Sequence, residues 1–510
     1  MKRLVNEIVK QYLRLRMQRI ERYMQHPEEA QEKWLNTLVQ TARNTEFGRE
    51  YNFADIRNPE DFARMVPVHD YDRIKGYISR MMRGESDVLW PDEVNWYSKS
   101  SGTTSDKSKY IPVPDSNLYG CHIAGSWDSL ALLYHNKPDM EIFRRRNLVM
   151  SGSYESLKEY PKTRYGDISA VLTYHMPSAG KMFYTPDLET VLQSNFEDKI
   201  QQVAEITSKQ DDVVMFGGVP TWIVVLFRLI LEKTGKSNML EVWPHLQAYM
   251  HGGVGFEPYR QTFRELIPSD NFVYQEIYNA SEGYFGAQCD LKINDMLLFA
   301  DNGVFYEFVP TEEWEKDHPK SVTMGDVEIG KNYAIMISSN NGLWRYQPGD
   351  TVMFTRKYPH CFLITGRTKQ FINAFGEEVM VGDTDRALAE TCRQLEVVVT
   401  EYTAAPIYFD GGERGKGGHE WVLEFEKQPA DLERFNQMLD ETLQRINSDY
   451  EAKRFKGMAL ERLRLRPVPV GTFHRWMRSR GKFGNQNKVP RLANHRQFVE
   501  EILKFTHEVQ

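Results

Sequence analysis

Between Ser98 and Lys109 the chain gathers hydroxyls around a glycine: Ser100, Ser101, Gly102, Thr103, Thr104, Ser105 and Ser108, with Lys99, Lys107 and Lys109 among them. Backbone N–H groups and hydroxyls in such a run donate to phosphate oxygens, and a lysine adds a point charge. The run is not a Walker A loop, which needs G-x-x-x-x-G-K-[ST] opening a helix. Its flanks, Val94 to Tyr97 and Tyr110 to Val113, are rich in aromatic and branched residues and predict strands on both sides. A phosphate loop between two strands belongs to a different kind of nucleotide enzyme. Taken alone, the same run also reads as a solvated hairpin loop.

Three more motifs carry chemistry at separations that only a fold can close. Tyr278-Asn279-Ala280-Ser281-Glu282-Gly283 follows a strand-like run. A tyrosine there can stack on a base, and the glutamate can reach a metal that neutralises phosphate charge. Trp344-Arg345-Tyr346-Gln347-Pro348-Gly349-Asp350 ends in a tight turn that presents Asp350, whose two oxygens can accept both hydroxyls of a ribose. Ile364-Thr365-Gly366-Arg367-Thr368-Lys369-Gln370 falls where the sequence pattern changes, a candidate hinge carrying a cation. Each motif alone has an ordinary structural explanation; their weight lies in the ordered set.

The elements that must position these residues are those of an α/β protein. From about residue 90 to 365 strand-like and helical runs alternate. Val213 to Phe216 precedes Gly217-Gly218 and a helix; Phe272 to Tyr278 precedes a turn. Antiparallel-looking strands then follow at Met296 to Ala300, Val304 to Val309, Tyr333 to Ser338 and Thr351 to Phe354. Beyond Gly366 a smaller α+β unit is predicted. Its helices are Thr384 to Leu395, Asp431 to Ile446 and Phe473 to Arg480, and its strands Val397 to Tyr402, Trp421 to Phe425 and Leu460 to Leu465. The expected organisation is a large N-terminal domain of mixed sheets and helices over 1–365 and a smaller, mobile α+β domain over 366–510. Gly411 to Gly418 lies between two strand-like runs and reads as a hairpin turn, not a second phosphate loop.

Composition narrows the class. A chain of 510 residues, 41% hydrophobic and 12% aromatic, is folded and too long for a single ordinary core. A net charge of −7 argues against a general nucleic-acid binder while allowing a locally basic anion site. Cys121, Cys289, Cys361 and Cys392 are far apart in sequence and suggest neither a disulfide framework nor a zinc site, which favours a reducing, cytoplasmic setting. The most apolar run, Trp222 to Phe227, is stopped by Arg228 and reads as a buried helix, so no membrane span is expected. Leu4 to Tyr23 has helical apolar spacing among arginines and is expected to pack on the main body.

The ordered set of Ser100 to Thr104 with Lys109, Tyr278 to Glu282, Gly349-Asp350 and Gly366-Arg367 resembles the acyl-adenylate-forming superfamily of luciferases, acyl-CoA synthetases and peptide-synthetase adenylation domains. Within it, the chain is most similar to the acyl acid amido synthetases of the auxin-responsive Gretchen Hagen family. The details are Asn44 to Gly48, Ala280 to Gly286, Leu443 to Tyr450, and Gly471-Thr472-Phe473 leading to Asn485-Gln486-Asn487-Lys488-Val489-Pro490-Arg491. The resemblance runs from about residue 40 to the end.

It implies two half-reactions between a large and a small domain. A carboxylate attacks the α-phosphate of ATP, leaving an acyl-adenylate and pyrophosphate; an amino acid's amine then attacks the activated carbonyl, giving an amide and AMP. Carried over, Ser100, Ser101, Gly102, Thr103, Thr104 and Lys109 hold the β- and γ-phosphates, and Glu282 ligates Mg²⁺. Tyr278 and the Gly252-Gly253 turn frame the adenine beside Ser281, and Asp350 and Arg367 hold the ribose. Lys488 swings in to meet the carboxylate and α-phosphate. Two positions depart from the wider superfamily: Gln370 stands where the hinge commonly has aspartate, and Gly481-Lys482 imitates the usual C-terminal lysine motif, making Lys482 the alternative to Lys488. A thiol acceptor, as in acyl-CoA synthetases, and a non-catalytic nucleotide-binding protein remain the alternative functions. His251 before two glycines has the look of an esterase oxyanion loop, but no G-x-S-x-G elbow accompanies it. The acid, the amine and the oligomeric state are not legible.

Overall fold

The computed structural model describes residues 2–100, 109–256, 259–314, 316, 318–368, 371–408, 416–455, 459–480 and 489–507. The strands of the first half are β1 (Trp96–Ser100), β2 (Lys109–Pro112), β3 (Arg146–Leu148), β4 (Tyr154–Ser156), β5 (Arg164–Gly166), β6 (Tyr184–Thr185), β7 (Val213–Gly218), β8 (Ala248–His251), β9 (Val273–Ala280) and β10 (Gly283–Gln288). Then come β11 (Met296–Leu298), β12 (Val304–Pro310), β13 (Asn332–Ser339), β14 (Asp350–Arg356) and β15 (Cys361–Arg367). The remainder are β16 (Phe371–Ile372), β17 (Val379–Met380), β18 (Val398–Ile407), β19 (Gly418–Lys427) and β20 (Arg464–Val468).

One mixed sheet of eleven strands organises the larger part, in the order β12-β13-β14-β15-β11-β10-β9-β8-β7-β3-β6. From β6 to β9 neighbouring strands are parallel, and from β9 to β12 they are antiparallel. The reason is local. Helical crossovers such as Phe196–Thr207 and Pro220–Thr234 separate the parallel strands, whereas Ser281-Glu282 joins β9 to β10 directly. The helix Pro220–Thr234 contains the buried run from Ile223 to Phe227, as its apolar sequence requires. A second, four-stranded sheet, β2-β1-β5-β4, carries the hydroxyl-rich segment between its first two strands. After β15 comes a three-stranded sheet, β18-β19-β20, packed with the helices Val381–Leu395 and Leu432–Ile446.

The first helix, Lys2–Gln25, lies on the body through Leu13, Met17, Ile20 and Tyr23. One apolar cluster joins it to Phe47, Trp344 and the antiparallel half of the large sheet. Another joins the parallel half to Phe375, Trp421 and Tyr450. β20 begins later than the sequence pattern suggests. Leu460 and Leu463 are buried in the core, but ladder pairing with β19 starts only at Arg464, opposite Glu420. Gly411 to Gly415 lie outside the described residues, while the flanking β18 and β19 pair antiparallel from Ile407 opposite Gly418. No helix of the described chain is long and apolar enough to cross a membrane.

Candidate active site

Asp350 is the hub. It opens β14 directly after Gly349, which turns the chain at φ +101°, a left-handed conformation that side chains other than glycine's rarely allow. Across the β14–β15 pairing it stands opposite Arg367. The Arg367 Nε donates to Asp350 Oδ1 at 2.8 Å, and the Tyr278 hydroxyl, from the end of β9, donates to Asp350 Oδ2 at 2.5 Å. Tyr278 is buried with its ring against Phe285, and Arg367 lies 5.1 Å from the centre of the Phe371 ring. Burial disfavours the Arg367 charge, yet Asp350, Glu378 and Glu282 more than compensate and hold the guanidinium protonated. Burial, followed by the Asp350 charge, pushes the Tyr278 hydroxyl well above its ordinary range, so it stays a donor.

Glu282 belongs to the same cluster. With Ser281 it forms the β9–β10 turn, and Asn341 Nδ2 donates to its backbone oxygen at 3.2 Å. Its side chain is buried. Burial raises the carboxyl, Lys109 opposes that rise, and Asp350 adds to it. Lys109 reaches this neighbourhood from the first residue of β2, opposite Ser100 in the β1–β2 register. It is itself buried, with Nζ 6.0 Å from the centre of the Tyr71 ring. Tyr71 also accepts a hydrogen bond from Tyr110 N at 2.8 Å and so fixes the strand that carries the lysine.

The glycine turn lies against the strand of Tyr278. A Cβ on Gly252 would sit 2.5 Å from the Ile277 carbonyl oxygen, and Gly253 has φ +84°, so no other residue fits this approach without displacement. Behind the turn is a cavity of about 460 Å³ lined by His251, Arg260, Tyr274 and Glu276 among others. His251 and Glu276 are register partners on β8 and β9. Burial pushes His251 down to about 3 and Glu276 up to about 7, so at neutral pH the histidine is uncharged and the acid holds its proton far above the ordinary carboxylate range. His251 is stacked on Phe256 at 3.9 Å, a packing role that does not fit an oxyanion loop.

Tyr278, Asp350 and Arg367 are therefore in direct contact. Glu282 and Lys109 feel the same charges, and Gly252 touches the backbone beside Tyr278. Ser100 is placed at the end of β1, and Ser281 in the turn with Glu282. Ser101, Gly102, Thr103, Thr104, Lys482 and Lys488 lie outside the described residues. Two residues of this neighbourhood escaped the sequence reading. Tyr346 is buried with a hydroxyl that has no hydrogen-bond partner among the described residues, close enough to Glu282 and Arg367 to sense their charges. Tyr71 positions Lys109. Tyr346 stands four residues before Asp350 in a motif already singled out, which was the available signal.

The donor set suits a magnesium–triphosphate. Mg²⁺ takes one or two carboxylates and completes its shell with phosphate oxygens and water. Glu282 is a hard oxygen donor beside a buried lysine, and the described residues contain no larger group of ligand-type side chains that would make a self-sufficient metal cage.

Models of the GH3 family match along most of the chain: its N-terminal domain at residues 16–202 and 158–272, its central domain at 297–367 and its C-terminal domain at 382–497. The chain belongs to the GH3 family. Indole-3-acetic acid-amido synthetase GH3.4 of Arabidopsis thaliana is 22% identical, over 93% of this chain and 91% of the relative. The 4-substituted benzoates-glutamate ligase GH3.12 of the same plant is 20% identical, over 90% and 92%. Among solved structures, AtGH3.15 acyl acid amido synthetase in complex with 2,4-DB superposes with a TM-score of 0.62 at 17% identity, covering 96% of this chain and 95% of that one. A 2-hydroxyisobutyryl-CoA ligase, in complex with its acyl-AMP and CoA, superposes with a TM-score of 0.58 at 13% identity, over 93% and 92%. The adenylate-forming fold expected from the motifs is thus the fold of this GH3 chain.

Proposed function

We propose that this GH3 protein is an ATP-dependent acid–amino acid ligase, which adenylates a small carboxylic acid and passes the acyl group to the amine of an amino acid. The observation that carries this reading is the convergence of Tyr278, Asp350 and Arg367, with Glu282 and Lys109 in the same electrostatic neighbourhood, from four separated stretches of a chain whose relatives are named amido synthetases.

A carboxylate is inert to amines because its leaving group is oxide; joining it to AMP makes the leaving group a phosphate ester. Asp350 has two acceptor directions left after Tyr278 and Arg367 are served, and these take the ribose hydroxyls. Tyr278 and Gly252-Gly253 flank the base, with Ser281 close by. Lys109, with Ser100, Ser101, Gly102, Thr103 and Thr104, meets the β- and γ-phosphates as pyrophosphate leaves, where preorganised donors lower the barrier. Glu282 would hold Mg²⁺, whose charge stabilises that departure when bound. Lys488, delivered by the 366–510 lobe against the 1–365 lobe, meets the carboxylate and the α-phosphate, with Lys482 the alternative. The unbridged cysteines agree with a cytoplasmic setting.

The test supplies purified protein with ATP, Mg²⁺ and a panel of carboxylic acids, then adds either mixed amino acids or coenzyme A, with products read by mass spectrometry. An amide and AMP are expected. A thioester without amide would move the protein to the CoA-ligase reading, and ATP binding without turnover would make it a nucleotide-binding protein.

A further inference from the structure

Cys289 and Cys361 are far apart in sequence, but the sheet brings their sulfurs to 3.7 Å. Cys289 follows the last residue of β10 and is partly exposed; Cys361 opens β15 and is buried. The Arg356 Nη2 points at the Cys289 sulfur from 3.8 Å. That guanidinium is not free to wander: Nη2 donates to Asp295 Oδ1 at 2.8 Å and Nε to Asp295 Oδ2 at 3.1 Å, while the Thr355 hydroxyl donates to Asp295 Oδ2 at 2.6 Å. Asn136 Nδ2 donates to the Cys289 carbonyl oxygen at 2.8 Å and anchors the backbone behind the thiol. The arrangement has three parts: a sulfur on a partly exposed residue, a fixed cation beside it, and a second sulfur within contact. Asp295 is engaged by Arg356 and Thr355, and among the described residues no group of three or more ligand-type side chains gathers here, so the cluster offers two thiols and not a metal cage.

We propose that Cys289 and Cys361 are a peroxide-reactive thiol pair that closes reversibly into a disulfide. The Cys289 thiolate, favoured by its contacts with the Cys361 thiol and with Arg356, attacks one oxygen of a peroxide. The O–O bond breaks, the departing hydroxide takes up a proton as water, and Cys289 becomes a sulfenic acid. Cys361 then attacks that sulfur and gives up its proton. The S–S bond forms as the S–O bond breaks, and a second water leaves. The two sulfurs lose two electrons and the peroxide gains two. A thiol reductant reverses the change by exchange. The bond would tie the chain after β10 to the strand that ends in Arg367, and with it Leu291, Lys292 and Asn294, which wall the cavity beside His251 and Glu276. The inference stands on the sulfurs and Arg356 alone and is independent of the ligase reading.

The full-length protein, reduced and freed of reductant, is titrated with hydrogen peroxide, denatured, and alkylated. Its four cysteines make the count simple. The expected result is a fall from four alkylated thiols to two, a cross-linked peptide joining Cys289 to Cys361, and restoration of all four by dithiothreitol. With Cys361→Ser, the sulfenic acid on Cys289 persists and is trapped by dimedone. Four alkylatable thiols after excess peroxide would overturn the proposal. So would a wild-type Cys289 carried irreversibly to the sulfinic acid, or a Cys289 joined to Cys121 or Cys392.

Discussion

Replacing Asp350 with Asn probes the hub with the least change of shape. The wild-type carboxylate receives the Arg367 Nε at 2.8 Å and the Tyr278 hydroxyl at 2.5 Å. A carboxylate has about four lone-pair directions, so two remain for the 2′- and 3′-hydroxyls of a ribose. An amide carries no charge and turns one acceptor into a donor, so with its oxygen on Arg367 the ribose keeps only an uncharged, re-oriented contact where it had a charge-assisted one. A hydrogen bond to a charged partner is worth about 1.5–3 kcal/mol, so weakening one ribose contact raises the KM for ATP roughly 10- to 150-fold. The variant also takes from the buried Arg367 its hydrogen-bonded anion, leaving only the charges of Glu378 and Glu282, a loss of up to about 3–5 kcal/mol of stability. The two effects are separated with 2′-deoxy-ATP and 3′-deoxy-ATP in a pyrophosphate-release assay, at a temperature where the variant is folded. Wild type should favour ATP over at least one analogue by roughly 10- to 150-fold, and Asp350→Asn should bring that preference close to unity. If the variant kept the wild-type preference while merely unfolding earlier, Asp350 would be a structural partner of Arg367 and no ribose acceptor.

Three further outcomes follow from individual residues. Glu276, raised by burial from 4.5 to about 7, binds its proton more tightly in the folded state than in the unfolded chain. Stability therefore falls as pH rises through that window, by about 3 kcal/mol in total, and Glu276→Gln should flatten this part of the profile and overtake wild type above pH 7. Denaturant midpoints at pH 5 and 8 decide it, and parallel profiles would contradict the assignment; the depressed His251 is common to both proteins and cancels. Glu282→Gln should raise the Mg²⁺ concentration needed for half-maximal pyrophosphate release, and an unchanged titration would remove Glu282 from the ligand set. Lys488→Ala should slow adenylation on the order of 100-fold, as loss of a group acting on developing charge does. Normal adenylation would shift the role to Lys482.

Tyr278, Asp350 and Arg367 were legible because each sits at a strand end marked by a turn signal, where chemistry-bearing side chains are presented. Tyr71 was not, because an aromatic residue that positions a lysine looks the same in sequence as one that fills a core, and Tyr346, although inside a motif with a turn signal, could not be told there from a core aromatic. β20 was misplaced by three or four residues at its ends because Leu460 and Leu463 supply the apolar pattern, whereas the strand needs the neighbouring β19 to pair with. The four cysteines gave no hint of pairing. The contact between Cys289 and Cys361 depends on β10, β11 and β15 lying side by side, a consequence of sheet order and register that no local spacing encodes.

The most direct measurement follows oxygen. A carboxylic acid turned over by the protein is labelled with ¹⁸O in both carboxylate positions and incubated with ATP, Mg²⁺ and its amino acid acceptor. Attack of the carboxylate on the α-phosphate requires one ¹⁸O to appear in AMP for each amide formed. Label in inorganic phosphate alongside ADP, or unlabelled AMP, would mean that no acyl-adenylate is made here.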